Sequence, residues 1–198
     1  MRNQSDARRN AILLARAEID RKPIYLDTET TGLDPTDQIV EICIADDSGQ
    51  VLVDSLVKPT SSIPFSARLI HGITDEMVQT APAWRELWPQ IEAVLTDRRI
   101  AIYNAEFDLR LMKQTHRQHH MPWQSQSLSS FCIMQLYAQF YGEWDSYHGS
   151  YRWQNLDRAI QQCAITGLGA RAHRARPDTL AARAILHYMA EWPRVPGR

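Results

Sequence analysis

A strong turn signal, DDSGQ at residues 46–50, separates two apolar runs in the first third of the chain. The runs cover residues 39–45 and 51–57, and both are rich in the β-branched and aliphatic side chains that favour strands. Two such runs joined by a short polar segment that contains glycine are typical of a β-hairpin. A shorter apolar run at residues 24–27 comes before them. The chain is therefore expected to begin its sheet with antiparallel strands.

Strands and helices alternate in the rest of the chain. Residues 100–103 are predicted to form a fourth strand, and residues 131–140 can pass from strand into helix. The predicted helical segments are residues 64–95, in pieces with Thr74 and Thr80 as caps, and residues 105–116, 155–163 and 177–191. Residues 143–153 have the composition of a loop. This order predicts an α/β fold with helices flanking a mixed sheet.

The N-terminal segment has a pattern of its own. Residues 5–20 show helical spacing of apolar side chains together with several arginines, which predicts an amphipathic helix. Such a helix can pack on its own domain or present a surface to a partner. We therefore divide the chain into a helical extension, residues 1–22, and one main domain, residues 23–192.

Four acidic residues stand where predicted strands end or helices begin. Asp27 and Glu29 follow the first strand and are separated by one residue, so both carboxylates can point to the same face. Asp108 lies near the start of one helix and Asp178 at the start of the last. Each acid alone is also explained as a helix cap or a turn residue. Together they could converge on one edge of the sheet, where hard divalent ions such as Mg²⁺ or Mn²⁺ suit all-oxygen ligands.

Four segments carry a resemblance to a known family. The segments IYLDTETTGLDPTDQIVEI, LIHGITDEMV, YNAEFDLRLM and AHRARPDTLAARAIL resemble, in order and approximate spacing, the DEDDh subgroup of 3′-to-5′ exonucleases. That subgroup is DnaQ-like and includes polymerase proofreading subunits and ribonuclease T-like enzymes. The resemblance covers roughly residues 23–190. It implies a ribonuclease H-like fold, with a mixed five-stranded sheet flanked by helices, and an exonuclease domain over residues 23–192.

The resemblance also implies a role for each of these acids. Asp27, Glu29, Asp108 and Asp178 would hold two divalent cations, Mg²⁺ or Mn²⁺. Such a pair of ions can clamp the attacking and leaving oxygens of a phosphoryl displacement. His173, five positions before Asp178, would be the general base for the attacking water, since an imidazole titrates near the working pH.

Further residues are expected to hold the 3′ end of the substrate. Glycine in the loop after the first strand would let the backbone approach a nucleotide. Apolar side chains can pack on any base, although ordinary core packing is the alternative use of such residues. The expected contacts are Thr30, Thr31, Gly32, Leu33, Ile70, His71, Asn104 and Phe107. The sequence departs from the family at Tyr103, where many relatives have histidine, and in residues 127–140, which lack an aspartate that relatives often carry.

The composition indicates which partners and which cellular compartment to expect. A net charge of −1 and a pI of about 6.6 argue against a protein that coats nucleic acid through a broad basic field. The 3 cysteines are far apart, and no apolar run approaches the ~20 residues that cross a bilayer. We expect a cytoplasmic protein whose partner is a single-stranded 3′ end, DNA more than RNA, with a homodimer or a polymerase or repair partner left open.

Two other functions fit part of the pattern. A haloacid dehalogenase-like phosphatase uses DxDxT at a strand end, but this chain has DTETT, with Glu29 in the second acidic position. A non-catalytic module that binds nucleic-acid ends or a polymerase would need none of the acids, yet all of them and His173 are present. A labelled single strand, incubated with Mg²⁺ and then with a chelator, separates these alternatives from an exonuclease.

Overall fold

A computed structural model of the chain describes residues 4–123, 128–167 and 173–192. The strands are β1 (Ile24–Thr30), β2 (Ile39–Ala45), β3 (Val51–Leu56), β4 (Arg99–Ile102), β5 (Ser129–Cys132), β6 (Trp144–Asp145) and β7 (Ser150–Tyr151). The helices are α1 (Gln4–Asp20), α2 (Phe65–His71), α3 (Asp75–Val78), α4 (Trp84–Leu95), α5 (Ala105–Gln118), α6 (Ile133–Tyr141), α7 (Leu156–Gln162) and α8 (Ala175–Glu191). Within these ranges the helices are too short or too polar to span a bilayer.

The main sheet is five-stranded, with strand order β3-β2-β1-β4-β5. β1, β2 and β3 pair antiparallel, whereas β4 and β5 are parallel to β1. This arrangement confirms both the predicted hairpin and the predicted mixed sheet flanked by helices. Every residue of β2 is buried, since β2 lies between two other strands and is covered on both faces.

Alternate residues of β1 face two separate layers of helices. Tyr25 packs in a cluster with side chains of α1, α6 and α8. Ile24 and Leu26 belong to a second cluster on the opposite face, which includes side chains of α4 and α5. The period of two along a strand produces this division. The sheet is thereby covered on both faces, and its C-terminal edge lies between the starts of α5 and α8.

Helix α1 packs against α6 and α8 of its own chain. Ala11 and Ala15 are fully buried at this contact. Arg8 donates from Nε to the carbonyl of Phe140 at 2.8 Å, and Arg16 donates from Nε to the carbonyl of Ala190 at 2.7 Å. Both carbonyls lie in the last turns of α6 and α8, where helices leave acceptors without intrahelical partners. The two arginines therefore fasten α1 to the ends of both helices.

Strand β1 and helix α8 are longer than predicted. β1 continues beyond residue 27 to Thr30 because β2 pairs with it that far, through an irregularity between Glu29 and Thr30. α8 begins at Ala175 rather than at residue 177. Pro177 can lie in the first turn because the amide hydrogens there have no intrahelical acceptors. The extra residues place Asp178 inside the first turn rather than at the helix start.

Two local predictions were wrong. Thr80 does not cap α4, because residues 82 and 83 are held extended by the amide of Lys58, which donates to the carbonyl of Pro82 at 2.9 Å. The helix begins instead after Ala83, whose amide donates to Glu86. The segment 143–153 is also more ordered than a loop, since it contains the small β6–β7 hairpin.

Replacing Arg8 by methionine is expected to lower the free energy of unfolding by about 1–3 kcal/mol, because two carbonyl acceptors lose a charged donor. Urea denaturation measures the change. Arg9→Met, at an exposed position of the same helix, is the matched control and should leave stability within roughly 0.5 kcal/mol. Equal stability of the two variants would show that α1 is not fastened through Arg8.

Candidate active site

Strand β1 carries two carboxylates at its C-terminal end. Leu26 is the last residue of β1 paired with β4, so Asp27 is the first residue beyond that pairing. Asp27 and Glu29 lie on the same face because they are two residues apart in a strand. Both are partly buried. The strand thus extends past its parallel neighbour and presents both acids at the open edge of the sheet.

Helix α8 brings a third carboxylate to the same place. Asp178 lies in its first turn, and the helix packs on β1 and β2, with Ala182 in the same cluster as Tyr25 of β1. Carboxylate oxygens of Asp27, Glu29 and Asp178 all lie within 4.8 Å of one another. Among the described residues, this is the group of acids or other ligand side chains close enough to hold one metal ion.

Asp108 reaches the site from the opposite layer of helices. It lies in the first turn of α5, is 3% exposed, and accepts a hydrogen bond of 2.7 Å from the hydroxyl of Thr28. Its carboxylate is not part of the group within 4.8 Å, but its charge acts on Asp27 and Glu29. All the predicted acids therefore meet around the end of β1, with Asp108 turned toward Thr28.

Burial raises the pKa of each of these acids, and the charges of the neighbouring acids raise the pKa values of Asp27 and Glu29 further. Burial has the largest effect on Asp27, followed by the charges of Asp108 and Asp178, and its pKa is well above the ordinary value. Burial first, then the charge of Asp178, raises the pKa of Glu29 to about 8. Burial also raises the pKa of Asp108 to about 7 and that of Asp178 to about 6. Ionised carboxylates so crowded require positive charge, and an all-oxygen donor set of this kind fits a hard divalent cation.

His173 lies beside the third acid, immediately before α8. Its amide donates to the carboxylate of Asp178 at 3.2 Å, and its imidazole acts to lower the pKa of that acid. The backbone of His173 is left-handed, with φ of 61°, and its side chain is exposed. Few residues other than glycine adopt this conformation without support from their surroundings. The imidazole is therefore next to the carboxylate cluster and open to solvent.

A cavity of about 520 Å³ opens beside Glu29. All the predicted substrate contacts line it except Asn104, namely Thr30, Thr31, Gly32, Leu33, Ile70, His71 and Phe107. Leu33 is 73% exposed and Ile70 is 59% exposed, which excludes core packing for these two side chains. Phe107 is partly buried and also packs against the cluster of α4 and α5. Asn104 is exposed at the N-cap of α5, outside the cavity lining.

His71 is held by backbone groups on both sides of its ring. Its Nδ1 accepts from the amide of Ile73 at 3.0 Å, so Nε2 carries the hydrogen and donates to the carbonyl of Thr30 at 3.2 Å. The side chain is buried, and burial lowers its pKa. His71 therefore supports the loop after β1, and neither of its ring nitrogens is free for a ligand.

Asp37 organises the loop between β1 and β2. Its carboxylate accepts from the hydroxyl of Thr31 and from the amide of Asp34, each at 2.6 Å. A Cβ atom at Gly32 would lie 2.6 Å from Oδ2 of Asp37. Gly32 is therefore required for the close approach of this carboxylate to the loop.

Several residues that support the site were not predicted from the sequence. Thr28 alternates with the acids along β1 and binds Asp108, and Glu41 of β2 forms an ion pair with Arg174 before α8. Glu41 could have been noticed, because a charged residue within the apolar run IVEICIA requires a partner. Tyr103, one of the departures from the family, is buried and donates to the carbonyl of Gln154 at 2.9 Å, so its hydroxyl supports the chain after β7.

The raised pKa values predict how pH affects stability without metal. Glu29 and Asp178 hold protons in the folded protein at pH values where the unfolded chain has released them. The free energy of unfolding should therefore fall as pH rises from about 4 to about 8, the interval between the ordinary and folded pKa values of Glu29. A divalent cation stabilises the ionised acids, so excess Mn²⁺ should raise Tm more near the upper end of this interval than near the lower end.

Thermal denaturation with a chelator or with excess Mn²⁺, at both ends of that interval, measures the effect. Glu29→Gln is the matched control, because it removes one titrating carboxylate and should reduce the dependence on pH. A metal-free Tm that rises across the interval would contradict the proposed crowding.

Comparison with known proteins identifies the family. The family model described as Exonuclease, RNase_T, matches residues 24–186. An uncharacterized exonuclease, CP81, of Escherichia phage 186 is 37% identical over 188 residues, which cover 92% of this chain and 96% of the phage protein. Bacterial DNA polymerase III proteins also match, but this chain spans 42% or less of the length of those relatives.

Solved structures show the same fold. Exonuclease X in complex with 5′ overhanging duplex DNA superposes with a TM-score of 0.61 at 25% identity, covering 85% of this chain and 93% of that one. The nuclease domain of 3′hExo, a DEDDh family member bound to rAMP, has a TM-score of 0.65 at 12% identity, covering 87% and 93%. The mixed five-stranded sheet with flanking helices therefore matches the ribonuclease H-like fold of these exonucleases. The chain belongs to the exonuclease family of DnaQ-like nucleases.

Proposed function

We propose that this chain is a metal-dependent 3′-to-5′ exonuclease that releases nucleoside monophosphates from the 3′ end of a nucleic acid, with DNA favoured over RNA. The observation that carries the proposal is the position of three carboxylates, within 4.8 Å of one another, beside a cavity of about 520 Å³. Cavities of roughly 300–1,000 Å³ accommodate small ligands, and a nucleotide falls in that class.

Each acid has a distinct part in this mechanism. Asp27, Glu29 and Asp178 would hold one divalent cation, and Asp108 with Asp27 would hold a second, Mg²⁺ or Mn²⁺. Bound cations would supply positive charge to the phosphate oxygens and lower the pKa of water. His173 would accept the proton of the attacking water, since its imidazole is exposed beside Asp178. The amide of His173, donating to Asp178, fixes the spacing between the base and that acid.

The cavity residues are proposed to hold the terminal nucleotide. Leu33 and Ile70 present exposed apolar side chains on which a base can pack without regard to its identity. The backbone of the loop Thr30–Gly32 is available for a 3′-hydroxyl or a phosphate. His71 acts through that loop by binding the carbonyl of Thr30. Asn104 lies outside the cavity lining, so its proposed contact is with a part of the substrate beyond the terminal nucleotide.

The wider setting is proposed from the relatives and the sequence. The family match over residues 24–186 supports an exonuclease domain at residues 23–192, with residues 1–22 as a helical extension. DNA as the preferred substrate, and proofreading or repair as the role, are supported by the DNA polymerase III proteins among the relatives. A polymerase or a second copy of the chain is the proposed partner. The three cysteines form no disulfide, which supports residence in the cytoplasm.

The match to the exonuclease family disfavours the phosphatase alternative. In a phosphatase of that class the nucleophilic aspartate would be Asp27, whereas in this chain Asp27 lies in a cluster of carboxylates suited to cations. A non-catalytic module is tested directly by activity. Such a module would bind a labelled single strand and leave it intact in the presence of Mg²⁺.

Asp27→Ala and His173→Ala should abolish or greatly reduce removal of 3′ nucleotides while leaving Tm close to that of the unmodified protein. Loss of a positioned base alone is expected to cost about 10²–10⁴-fold in kcat. Gel analysis of 5′-labelled oligonucleotides, as matched DNA and RNA and as single and double strands, measures the rates. His148→Ala, an exposed histidine on the β6–β7 hairpin, is the control and should retain full activity.

Two outcomes of this assay would overturn the proposal. One is stable binding without shortening of any strand, which indicates the non-catalytic module. The other is unchanged turnover in Asp27→Ala or His173→Ala, which removes that residue from the mechanism. Faster digestion of RNA than of matched DNA would contradict the proposed substrate preference alone.

Gly32→Ala tests the loop that holds the substrate. The added methyl group would displace the carboxylate of Asp37 and release Thr31 and the amide of Asp34. Because the acids of β1 and α8 are not displaced, KM should rise by roughly 10-fold or more, with a smaller change in kcat. Steady-state kinetics on a single-stranded DNA measures both constants. Gly149→Ala is the control, because it strains a left-handed backbone position (φ of 64°) on the β6–β7 hairpin, outside the cavity lining. Equal KM values for the two variants would contradict this role of the loop.

A further inference from the structure

Glu41 is a buried acid of β2, an interior strand of the sheet, that the proposed mechanism does not use. It lies in β2, is 4% exposed, and stands directly opposite Glu29 in the antiparallel pairing of β1 and β2. Residues directly opposite in such a pair place their side chains on the same face of the sheet. Glu41 is therefore immediately behind the carboxylate cluster, on the face that α8 covers.

The carboxylate of Glu41 accepts hydrogen bonds from the residue before α8 and from the first residue of α8. Nε of Arg174 donates to both oxygens, at 2.9 and 3.0 Å, and a terminal nitrogen of the same guanidinium makes a further contact. The backbone amide of Ala175, the first residue of α8, donates to Glu41 at 2.9 Å. A single acid of β2 thus binds two consecutive residues, and one of the helix's N-terminal amides finds its acceptor in the sheet.

These two residues connect the proposed base to the proposed metal ligand. His173 directly precedes Arg174, and Asp178 follows one helical turn later. The amide of His173 closes this segment by donating to Asp178. His173 also has a left-handed backbone, which needs support from its neighbours. Glu41 is therefore a buried contact between the sheet that carries Asp27 and Glu29 and the segment that carries His173 and Asp178.

We propose that the Glu41–Arg174 ion pair positions His173 and Asp178 over the acids of β1, so that metal affinity and turnover depend on a pair that itself touches neither metal nor substrate. This inference rests on the proposed function for its effect on turnover, but its effect on metal binding does not.

The pair is not what holds α8 on the sheet. Ile185, Leu186 and Met189 are fully buried against the rest of the domain. The hydroxyl of Thr179, which donates to the carbonyl of Ala175 at 2.7 Å, also lies 3.3 Å from the carbonyl of Cys43 in β2. Loss of the Glu41 charge should leave these contacts in place. The expected defect is therefore confined to the turn before α8 and to the cluster of carboxylates beside it.

The experiment compares Glu41→Gln, Arg174→Gln, the double variant and Arg176→Gln. Arg176 lies two residues beyond Arg174 and forms an ion pair with Asp54 at 3.4 Å on the exposed surface, which makes it the matched control. Mn²⁺ affinity is measured by calorimetry without nucleic acid, kcat and KM on a single-stranded DNA, and Tm by thermal denaturation. The histidine ring signals are followed by NMR, with His173 identified from His173→Ala.

Glu41→Gln and Arg174→Gln should each weaken Mn²⁺ binding and lower kcat by roughly 10–100-fold, with little change in KM. The double variant should be no worse than either single variant, because both remove the same interaction. The NMR signal of His173 should move in all three, and Arg176→Gln should match the unmodified protein in every measurement.

The proposal is overturned if Glu41→Gln and Arg174→Gln keep the Mn²⁺ affinity, the kcat and the His173 signal of the unmodified protein, even if Tm falls. If Glu41→Gln does not fold, Arg174→Gln and its Mn²⁺ affinity decide the matter in the same way. A protein that binds Mn²⁺ but digests no strand would defeat the proposed function, whereas the effect of Glu41→Gln on Mn²⁺ affinity would still decide the positioning role.

Discussion

The repulsion between carboxylates gathered around the end of β1 is the constraint on which the site depends. Asp27, Glu29 and Asp178 lie close together, burial raises the pKa of each, and the charge of Asp178 adds to this effect on Asp27 and Glu29. Such an arrangement costs stability when the acids are ionised, so the rest of the fold must hold it in place. The acids are held by paired strands on one side and by a helix packed on the sheet on the other. A divalent cation between the carboxylates would offset this repulsion, so the crowded acids favour its binding.

The architecture explains how residues distant in the chain reach one point. β1 extends beyond its parallel neighbour β4, so helices on both faces of the sheet can bring side chains to its last residues. Helix α8 approaches over one face and delivers Asp178, while α5 approaches over the other and delivers Asp108. Thr28, between the two acids of β1, donates to Asp108 and thereby joins β1 to α5. Glu41 performs the corresponding task on the α8 side through Arg174.

The parts of this site that could be predicted from sequence are those governed by local periodicity. The spacing of Asp27 and Glu29 places both on one face of any strand, and the hairpin of β2 and β3 follows from its turn residues. The positions of Asp108 and Asp178 near predicted helix starts suggested that they could join the site, and the resemblance to the exonuclease family then indicated their role and that of His173. Local rules failed where a distant contact decides, as at Thr80, where pairing with Lys58 keeps the chain extended. The pairing of Glu41 with Arg174 was also inaccessible, because it depends on how α8 lies across β2. The hydrogen bond between the ring of His71 and the carbonyl of Thr30 could not be predicted either, because it joins residues that are distant in the sequence.

The central claim is that the acids of β1 and α8 form a cation site. Its most direct measurement is the anomalous scattering of manganese in crystals of the protein grown with Mn²⁺. The account predicts a strong anomalous peak surrounded by oxygens of Asp27, Glu29 and Asp178 at about 2.0–2.3 Å, the range for divalent cations with oxygen ligands. Crystals saturated with Mn²⁺ that show no peak among these carboxylates, or that place the ion elsewhere, would contradict it.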